Sequence, residues 1–163
     1  MRILGIDPGI ATTGYGILDF DNNKFRPVDY GAILTKAHTP TELRLSDIYK
    51  AIGLLIDKFH PDAMAIEELF FNTNVSTAIT VAHARGVILL AATHKGIPIS
   101  EYTPLQVKQA ITGYGRATKQ QMQTMVKMML GLNAVPKPDD TADALAIAIC
   151  HGHSAQFNKY NQF

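Results

Sequence analysis

Residues 2–20 read RILGIDPGIATTGYGILDF, and this stretch decides the fold. Its first part, Arg2–Asp7, is an apolar run rich in Ile and Leu that ends at a Pro-Gly pair, which is typical of a turn. Further strands are predicted over Thr13–Phe20 and Lys24–Thr35, because the Asp-Asn-Asn sequence between them favours a hairpin turn. Three strands in a row with short connections predict an antiparallel meander.

After the meander, the spacing of apolar residues changes to the period of a helix. The pattern predicts helices over Thr41–Phe59, Asn74–His94, Leu105–Ile111, Thr118–Leu130 and Asp140–His153. Short apolar runs at Ala63–Ile66 and Gly96–Ser100 predict two more strands, which run parallel because a helix connects them. The predicted fold class is α/β: a five-stranded mixed sheet, three antiparallel strands and then two parallel ones, with helices on both faces.

Composition limits the class of protein further. The 163 residues fit one domain, expected over residues 1–155 with a flexible tail over residues 156–163. With 47% hydrophobic and 18% charged residues, the chain is neither disordered nor fibrous. A single cysteine, Cys150, excludes a disulfide framework and a thiolate metal cluster, which favours a reducing, cytoplasmic location. No apolar run is long enough to predict a membrane-spanning helix, and no signal peptide is recognisable.

Two acids stand at the predicted ends of strands. Asp7 ends the first strand, on the same face as Gly5, whose missing side chain leaves room for close packing. Glu67 directly follows the fourth strand. If these strands are parallel neighbours, both carboxylates lie at the edge of the sheet where open α/β sheets place their sites. For either acid alone, a merely solvated strand end is an equally good interpretation.

Asp140 and Asp143 lie three residues apart at the start of the last predicted helix, and therefore on one face of it. A helix N-terminus favours acids, which explains part of this pattern. The helix is also rich in small residues, namely Ala142, Ala144, Ala146 and Ala148. Such a helix can approach a sheet closely over Gly5, which would bring both acids to Asp7 and Glu67.

Four carboxylates in one pocket repel each other strongly. Two unit charges ~4 Å apart cost about 4 kcal/mol at an effective dielectric of ~20, so cations or shared protons must compensate. Oxygen ligands without a set of Cys or His residues match Mg²⁺ or Mn²⁺. Two such ions ~4 Å apart are the apparatus of phosphodiester hydrolysis.

Six motifs in collinear order resemble the RuvC family of Holliday-junction resolvases. They are LGIDPG at Leu4–Gly9, TGYG at Thr13–Gly16, AIEELFF at Ala65–Phe71, ARGV at Ala84–Val87, QVKQ at Gln106–Gln109 and DDTADALAIA at Asp139–Ala148. The resemblance implies a ribonuclease-H-like fold, a homodimer, and nicking of four-way DNA junctions with two Mg²⁺ ions per active site, for which Mn²⁺ substitutes.

The family's four acids fall on Asp7, Glu67, Asp140 and Asp143. The neighbouring acids Asp139 and Glu68 are not expected in the set, because the Asp-x-x-Asp spacing and the strand end favour the other four.

The same resemblance implies residues that bind DNA. Phe70 is expected to act as a wedge that stacks on an unpaired base, while Phe71 packs in the loop. Lys108, Arg116 and Lys119 flank a break in the helical pattern at Gly113–Gly115, where a phosphate can approach the backbone. Of these, Lys108 and Lys119 match basic positions of the family. The alternatives are that both phenylalanines close the core and that the basic residues form an ordinary solvated face.

The long helix predicted over Asn74–His94 has more apolar surface than one sheet can cover. The stripe on its second side is predicted to form the dimer interface and includes Ile79, His83, Gly86 and Leu90. Arg85, within the same helix, is as readily an ion-pair partner as a DNA ligand. Core packing is expected for Met122, Met125, Met129 and Cys150, and a favourable place at the end of a helix dipole for His151 and His153.

These patterns together predict a structure-selective endonuclease. A dimer would nick two opposed strands of a four-way junction symmetrically, leaving 5′-phosphate and 3′-hydroxyl ends, in recombination and repair. The resemblance implies the RuvA–RuvB branch-migration complex as a partner and no membrane association. Two alternatives are another nuclease of the same fold, such as a ribonuclease H, and a non-catalytic junction-binding protein.

Overall fold

The computed structural model describes residues 1–69 and 75–160, which form five strands and five helices. The strands are β1 (Arg2–Asp7), β2 (Thr12–Asp21), β3 (Lys24–Leu34), β4 (Ala63–Glu67) and β5 (Ile99–Tyr102). The helices are α1 (Thr41–Phe59), α2 (Val75–His94), α3 (Pro104–Thr112), α4 (Lys119–Met129) and α5 (Asp139–Tyr160). No helix in these described ranges is long and apolar enough to cross a membrane.

One mixed sheet has the strand order β3-β2-β1-β4-β5. The first three strands pair antiparallel, while β4 pairs parallel with both β1 and β5. The β2–β3 hairpin turns through Asn22 and Asn23, whose φ angles of 48° and 62° are those of the favoured two-residue turn. The predicted fold class, including the meander and the parallel pair, is confirmed.

The fifth strand lies later in the chain than the sequence predicts. The expectation was Gly96–Ser100, but β5 spans Ile99–Tyr102. Gly96 has a φ of 69°, and Ile97 donates its N–H to the carbonyl of Ala92, so these residues close the end of α2 rather than extend a strand. Pro98 has no N–H to donate to a ladder.

The last helix is longer than predicted, because α5 continues to Tyr160 instead of ending at His153. The interpretation of His151 and His153 as residues at the end of a helix dipole is therefore wrong. His151 is buried and hydrogen-bonded to the Tyr102 hydroxyl at 2.8 Å. Burial lowers the pKa of both histidines. The division into a domain over residues 1–155 and a flexible tail over residues 156–163 stays a prediction.

The core has two parts, one on each face of the sheet. On one face α1 and α2 cover Leu4, Ile6 and Ile17. On the other face α3, α4 and α5 cover Ile3 and Leu18. This second part includes Met122, Met125, Met129 and Cys150, which confirms their predicted role in packing. The helices therefore lie on both faces, as predicted.

Close approach of α5 to the sheet fixes the position of the candidate site. A side-chain carbon on Gly5 would collide with the Ala144 carbonyl and would lie 2.8 Å from the Ala148 β-carbon. A side-chain carbon on Gly14 would likewise collide with the backbone of Asp140. The predicted contact between an alanine-rich helix and the Gly5 face is confirmed, and it places the start of α5 above the ends of β1 and β4.

Candidate active site

Asp7 and Glu67 come together because β1 and β4 are parallel neighbours. The register pairs Ile6 with Ile66, so the acids that follow occupy equivalent positions at the carboxyl edge of the sheet. Asp7 is also the register partner of Gly14 on β2. The start of α5 rests on Gly14, and this contact carries the helix's acids to the same edge.

The electrostatics of the edge are those of crowded carboxylates. Burial raises the pKa of Asp7 to about 8, and the charges of Glu67, Asp143 and Asp140 act in the same direction. The pKa of Glu67 is raised by burial and then by Asp143. Burial also raises the pKa of Asp143, while the ammonium of Lys119 opposes the shift. The four predicted acids therefore act on one another as a single cluster.

Two of the predicted basic residues lie beside these acids. Lys119 places its Nζ 3.3 Å from an Oδ of Asp143. Lys108 lowers the pKa of Glu67, against the larger effect of burial. Both lysines line a cleft of about 200 Å³ together with Glu67 and Asp143. Arg116 is exposed and does not line this cleft.

Asp139, which the sequence excludes from the acid set, instead pairs with lysines. Its carboxylate lies 2.9 Å from Lys137 Nζ and 3.4 Å from Lys119 Nζ. Hydrogen bonds from Lys137 and then Lys119 lower the pKa of Asp139 to about 2. Lys119 thus bridges Asp139 and Asp143, an arrangement that sequence reasoning missed because no local pattern links the start of α4 to the start of α5.

The donor chemistry of the cluster fits a hard divalent cation. Every candidate ligand is a carboxylate, and burial, followed by neighbouring carboxylate charges, raises the pKa values of Asp7 and Glu67. Burial also raises the pKa of Asp143. Within residues 1–69 and 75–160, however, no three acids, histidines or cysteines stand close enough to hold one ion as they are. In this arrangement Lys119 supplies the positive charge beside Asp143. Because the acids stand too far apart to share an ion, ion binding would require the carboxylates to move closer together.

Arg85 has a structural role in the described residues. Its guanidinium forms an ion pair with Glu101, and its Nε donates to the carbonyl oxygen of Glu67 at 3.3 Å. The ion-pair interpretation is confirmed. Glu101 gave no signal in the sequence, since it becomes a neighbour of Arg85 only through the pairing of β4 with β5.

The remaining predicted residues lie elsewhere. Phe70, the predicted wedge, and Phe71 are outside the described residues. On α2, the stripe formed by Ile79, His83, Gly86 and Leu90 is exposed. Half of Ile79 and 47% of Leu90 are open to solvent, which is unusual for large apolar side chains on one face.

Comparison with known proteins decides the family. The model of the family described as "Crossover junction endodeoxyribonuclease RuvC" matches residues 3–151. This chain belongs to the RuvC family. A RuvC from Alkaliphilus metalliredigens is 59% identical over 157 residues, which cover 96% of each chain.

Solved RuvC structures agree with the fold. The Thermus thermophilus RuvC structure has a TM-score of 0.90 and 37% identity, and the match covers 97% of both chains. The T. thermophilus RuvC in complex with Holliday junction substrate has a TM-score of 0.88 and 35% identity over 96% of both chains. The ribonuclease-H-like architecture that the RuvC resemblance implied is confirmed.

Proposed function

We propose that this protein is a structure-selective endonuclease that resolves four-way DNA junctions by paired, symmetric nicks during recombination and repair. The observation that carries the proposal is the convergence of four carboxylates and two lysines at one sheet edge. Membership of the RuvC family supports it. A further support is that a solved member at 35% identity is in complex with a Holliday junction substrate.

The four acids would hold two Mg²⁺ ions, for which Mn²⁺ substitutes. Such ions supply a nucleophile at neutral pH and stabilise the leaving oxygen in phosphodiester hydrolysis, here yielding 5′-phosphate and 3′-hydroxyl ends. The protein's own part is to keep the carboxylates crowded and partly buried. The charge repulsion among Asp7, Glu67 and Asp143 is relieved by protons or by bound cations, so cations that bind would displace the proton that the raised pKa of Asp7 favours.

Lys108 and Lys119 would neutralise the phosphate that lies in the cleft. Both line the cleft that Glu67 and Asp143 also line, so a phosphate held there contacts their ammonium groups. In the metal-free protein Lys119 compensates Asp143 and Asp139. With divalent ions bound to the acids, Lys119 would be free to contact the DNA.

The wider assembly follows from the RuvC resemblance. Phe70 would open the junction by stacking, and Arg116 would contact the DNA backbone outside the cleft. A second copy would cover the α2 stripe of Ile79, His83, Gly86 and Leu90, and the dimer would present two cleavage sites. The RuvA–RuvB complex is the expected partner, and the cytoplasm is the expected location.

A substrate comparison tests this function. A synthetic four-way junction, a linear duplex and an RNA–DNA hybrid of matched sequence are incubated with the protein in Mg²⁺. The proposal predicts nicks in the junction and little cutting of the other two. Preferred cutting of the hybrid would identify a ribonuclease H instead, and tight junction binding without any nick would identify a binding protein.

A further inference from the structure

A second concavity, of about 480 Å³, lies next to the acid cluster. It shares no residue with the cleft lined by Glu67 and Asp143. One wall is the β1–β2 turn over residues 9–12, and the other is the first part of α2, with Thr77 and Val81. Asp140 also lines it, so the concavity adjoins the candidate active site. Neither the sequence motifs nor the proposed chemistry gives it a role.

Three consecutive carbonyl groups of the β1–β2 turn accept hydrogen bonds from within the protein. The Gly9 carbonyl accepts a hydrogen bond from the Thr13 hydroxyl at 2.6 Å. The Ile10 carbonyl accepts from the Thr35 hydroxyl, and the Ala11 carbonyl accepts from the Thr35 backbone N–H at 3.1 Å. Three bonds from Thr13 and Thr35 thus occupy the carbonyls of Gly9, Ile10 and Ala11.

The donors of the turn are in the opposite situation. Among the described residues, the backbone N–H groups of Ile10 and Ala11 have no acceptor. The same concavity is lined by Thr12 and Thr77, which carry hydroxyl groups. Successive backbone N–H groups without an acceptor are a common form of anion site, and the neighbouring carbonyls of this turn are already occupied.

We infer that this concavity, the turn cradle, binds a phosphate of the DNA backbone. The phosphate is the one beside the phosphodiester that is cut. The inference rests on the proposed function and deepens it. Contacts to phosphate fix the register of a protein on DNA, and a cradle beside Asp140 would set which phosphodiester reaches the acids. The Asp140 carboxylate opposes an anion here, so the cradle should bind phosphate only when divalent ions occupy the acid cluster.

A charge placed at the mouth of the cradle tests the inference. Ala11 is exposed, so Ala11→Glu adds a negative charge there, and Ala11→Gln is the matched neutral control of the same size. Junctions that carry one neutral methylphosphonate at successive positions around the cut are bound in Ca²⁺ at several salt concentrations. The assay asks whether one phosphate and residue 11 act on each other.

The expected result is a coupled loss. One methylphosphonate beside the cut should weaken binding by wild type and by Ala11→Gln about tenfold. On the unmodified junction, Ala11→Glu should bind about tenfold less tightly than Ala11→Gln. The slope of log affinity against log salt concentration should be smaller by ~0.9 for Ala11→Glu. The same methylphosphonate should then change binding by Ala11→Glu little. Thr77→Val, on the opposite wall, should give a smaller loss coupled to the same position.

Four results would overturn the inference. Equal junction binding by Ala11→Glu and Ala11→Gln would do so, as would an equal methylphosphonate effect in both. If the melting temperature of Ala11→Glu lies well below that of wild type, Thr77→Val alone is the test. A loss of junction affinity in Thr77→Val that does not depend on the position of the methylphosphonate then refutes the cradle. If inorganic phosphate competes with junction binding in wild type while no methylphosphonate matters, the site takes free phosphate instead. Wild type that binds and nicks the unmodified junction keeps the proposed function in every one of these cases, whereas wild type that does neither refutes both.

Discussion

At the scale of single residues, Asp7 is the carboxyl group whose pKa the fold raises to about 8. Its ordinary pKa of 3.8 is raised to about 8, mainly by burial and then by the charges of Glu67, Asp143 and Asp140. The folded protein therefore holds a proton between these two pH values that the unfolded chain has lost. The contribution of Asp7 to the free energy of unfolding therefore falls as pH rises from about 4 to about 8, and this loss persists at higher pH.

Asp7→Asn should remove this loss. In the metal-free protein the variant should be more stable than wild type by about 2 kcal/mol or more near pH 8, with the difference vanishing near pH 4. Denaturant unfolding in EDTA across this range measures it. Glu68→Gln, at an exposed acid one residue beyond β4, is the matched control and should show no such trend. A gain that is the same at both ends of the range would contradict the assignment.

Phe70 supports a second prediction at this scale, although it lies outside the described residues. Phe70→Ala should slow the cutting of fully paired junctions more than the cutting of junctions already unpaired at the centre. A base that is already free spares the unstacking cost of a few kcal/mol per step. Rates on the two substrates measure the effect, with Phe71→Ala as the control. Equal losses on both would assign Phe70 to packing.

At the scale of elements, the site exists because α5 rests directly on β1 and β2. The carbonyl of Ala144 and the backbone of Asp140 occupy the space that side chains at Gly5 and Gly14 would fill. Gly5 and Gly14 therefore set the distance between the sheet and the acids of α5. Any side chain at these positions must lift the helix, and the acids with it.

Gly5→Ala should destabilise the protein by about 1–3 kcal/mol and weaken nicking, because the added methyl forces a backbone shift in α5. Gly53→Ala is the matched control on α1, where an added carbon would meet only the side chain of Lys95 at 3.7 Å. That substitution should stabilise by about 0.5–1 kcal/mol and leave nicking unchanged. Denaturant unfolding and a nicking assay give both quantities. If Gly5→Ala behaves like Gly53→Ala, the close contact with α5 does not set the site.

Much of this element-scale account could be predicted from the sequence. Period-two alternation placed Gly5 and Asp7 on one face, and the alanine pattern after Asp143 identified the helix that packs there. These signals are local, and the sheet order then brings the acids together. The bounds of β5 were wrong because Gly96 was taken as the start of a strand, whereas its left-handed conformation ends a helix.

Other features depend on contacts between distant segments, which leave no local pattern. Lys119 was predicted to bind DNA, but its pairing with Asp143 follows only from the packing of α4 on α5. The turn cradle is a similar case. The Pro-Gly pair predicts a turn, yet the hydrogen bonds to the carbonyls of Ile10 and Ala11 require Thr35, one residue beyond β3.

At the scale of the whole molecule, α2 exposes apolar surface that the sheet and α1 do not cover. One of its sides packs on α1 and the sheet through Ala84 and Ile88, which are fully buried. Its other side carries Ile79 and Leu90, each about half exposed. We propose that the same stripe of a second copy covers it around a two-fold axis.

Ile79→Glu should produce monomers, because an unpaired charge buried in such a contact costs several kcal/mol. Light scattering measures the state, and Leu54→Glu is the control at an exposed apolar position on α1. A supercoiled plasmid that extrudes a cruciform then shows whether the two nicks are made in one binding event. Wild type and the control should linearise it, whereas the monomer should give nicked circles. An Ile79→Glu variant that stays dimeric and linearises the plasmid would place the interface elsewhere.

The central claim is that the four acids form a metal-dependent site for cutting junctions. Its most direct test is nicking of a synthetic mobile four-way junction, read by strand length, with wild type and Asp7→Asn in Mg²⁺ and in EDTA. We predict symmetric nicks in two opposed strands, made only by wild type and only in Mg²⁺, while Asp7→Asn still binds the junction. Nicking in EDTA, or nicking by Asp7→Asn at the wild-type rate, would contradict the claim.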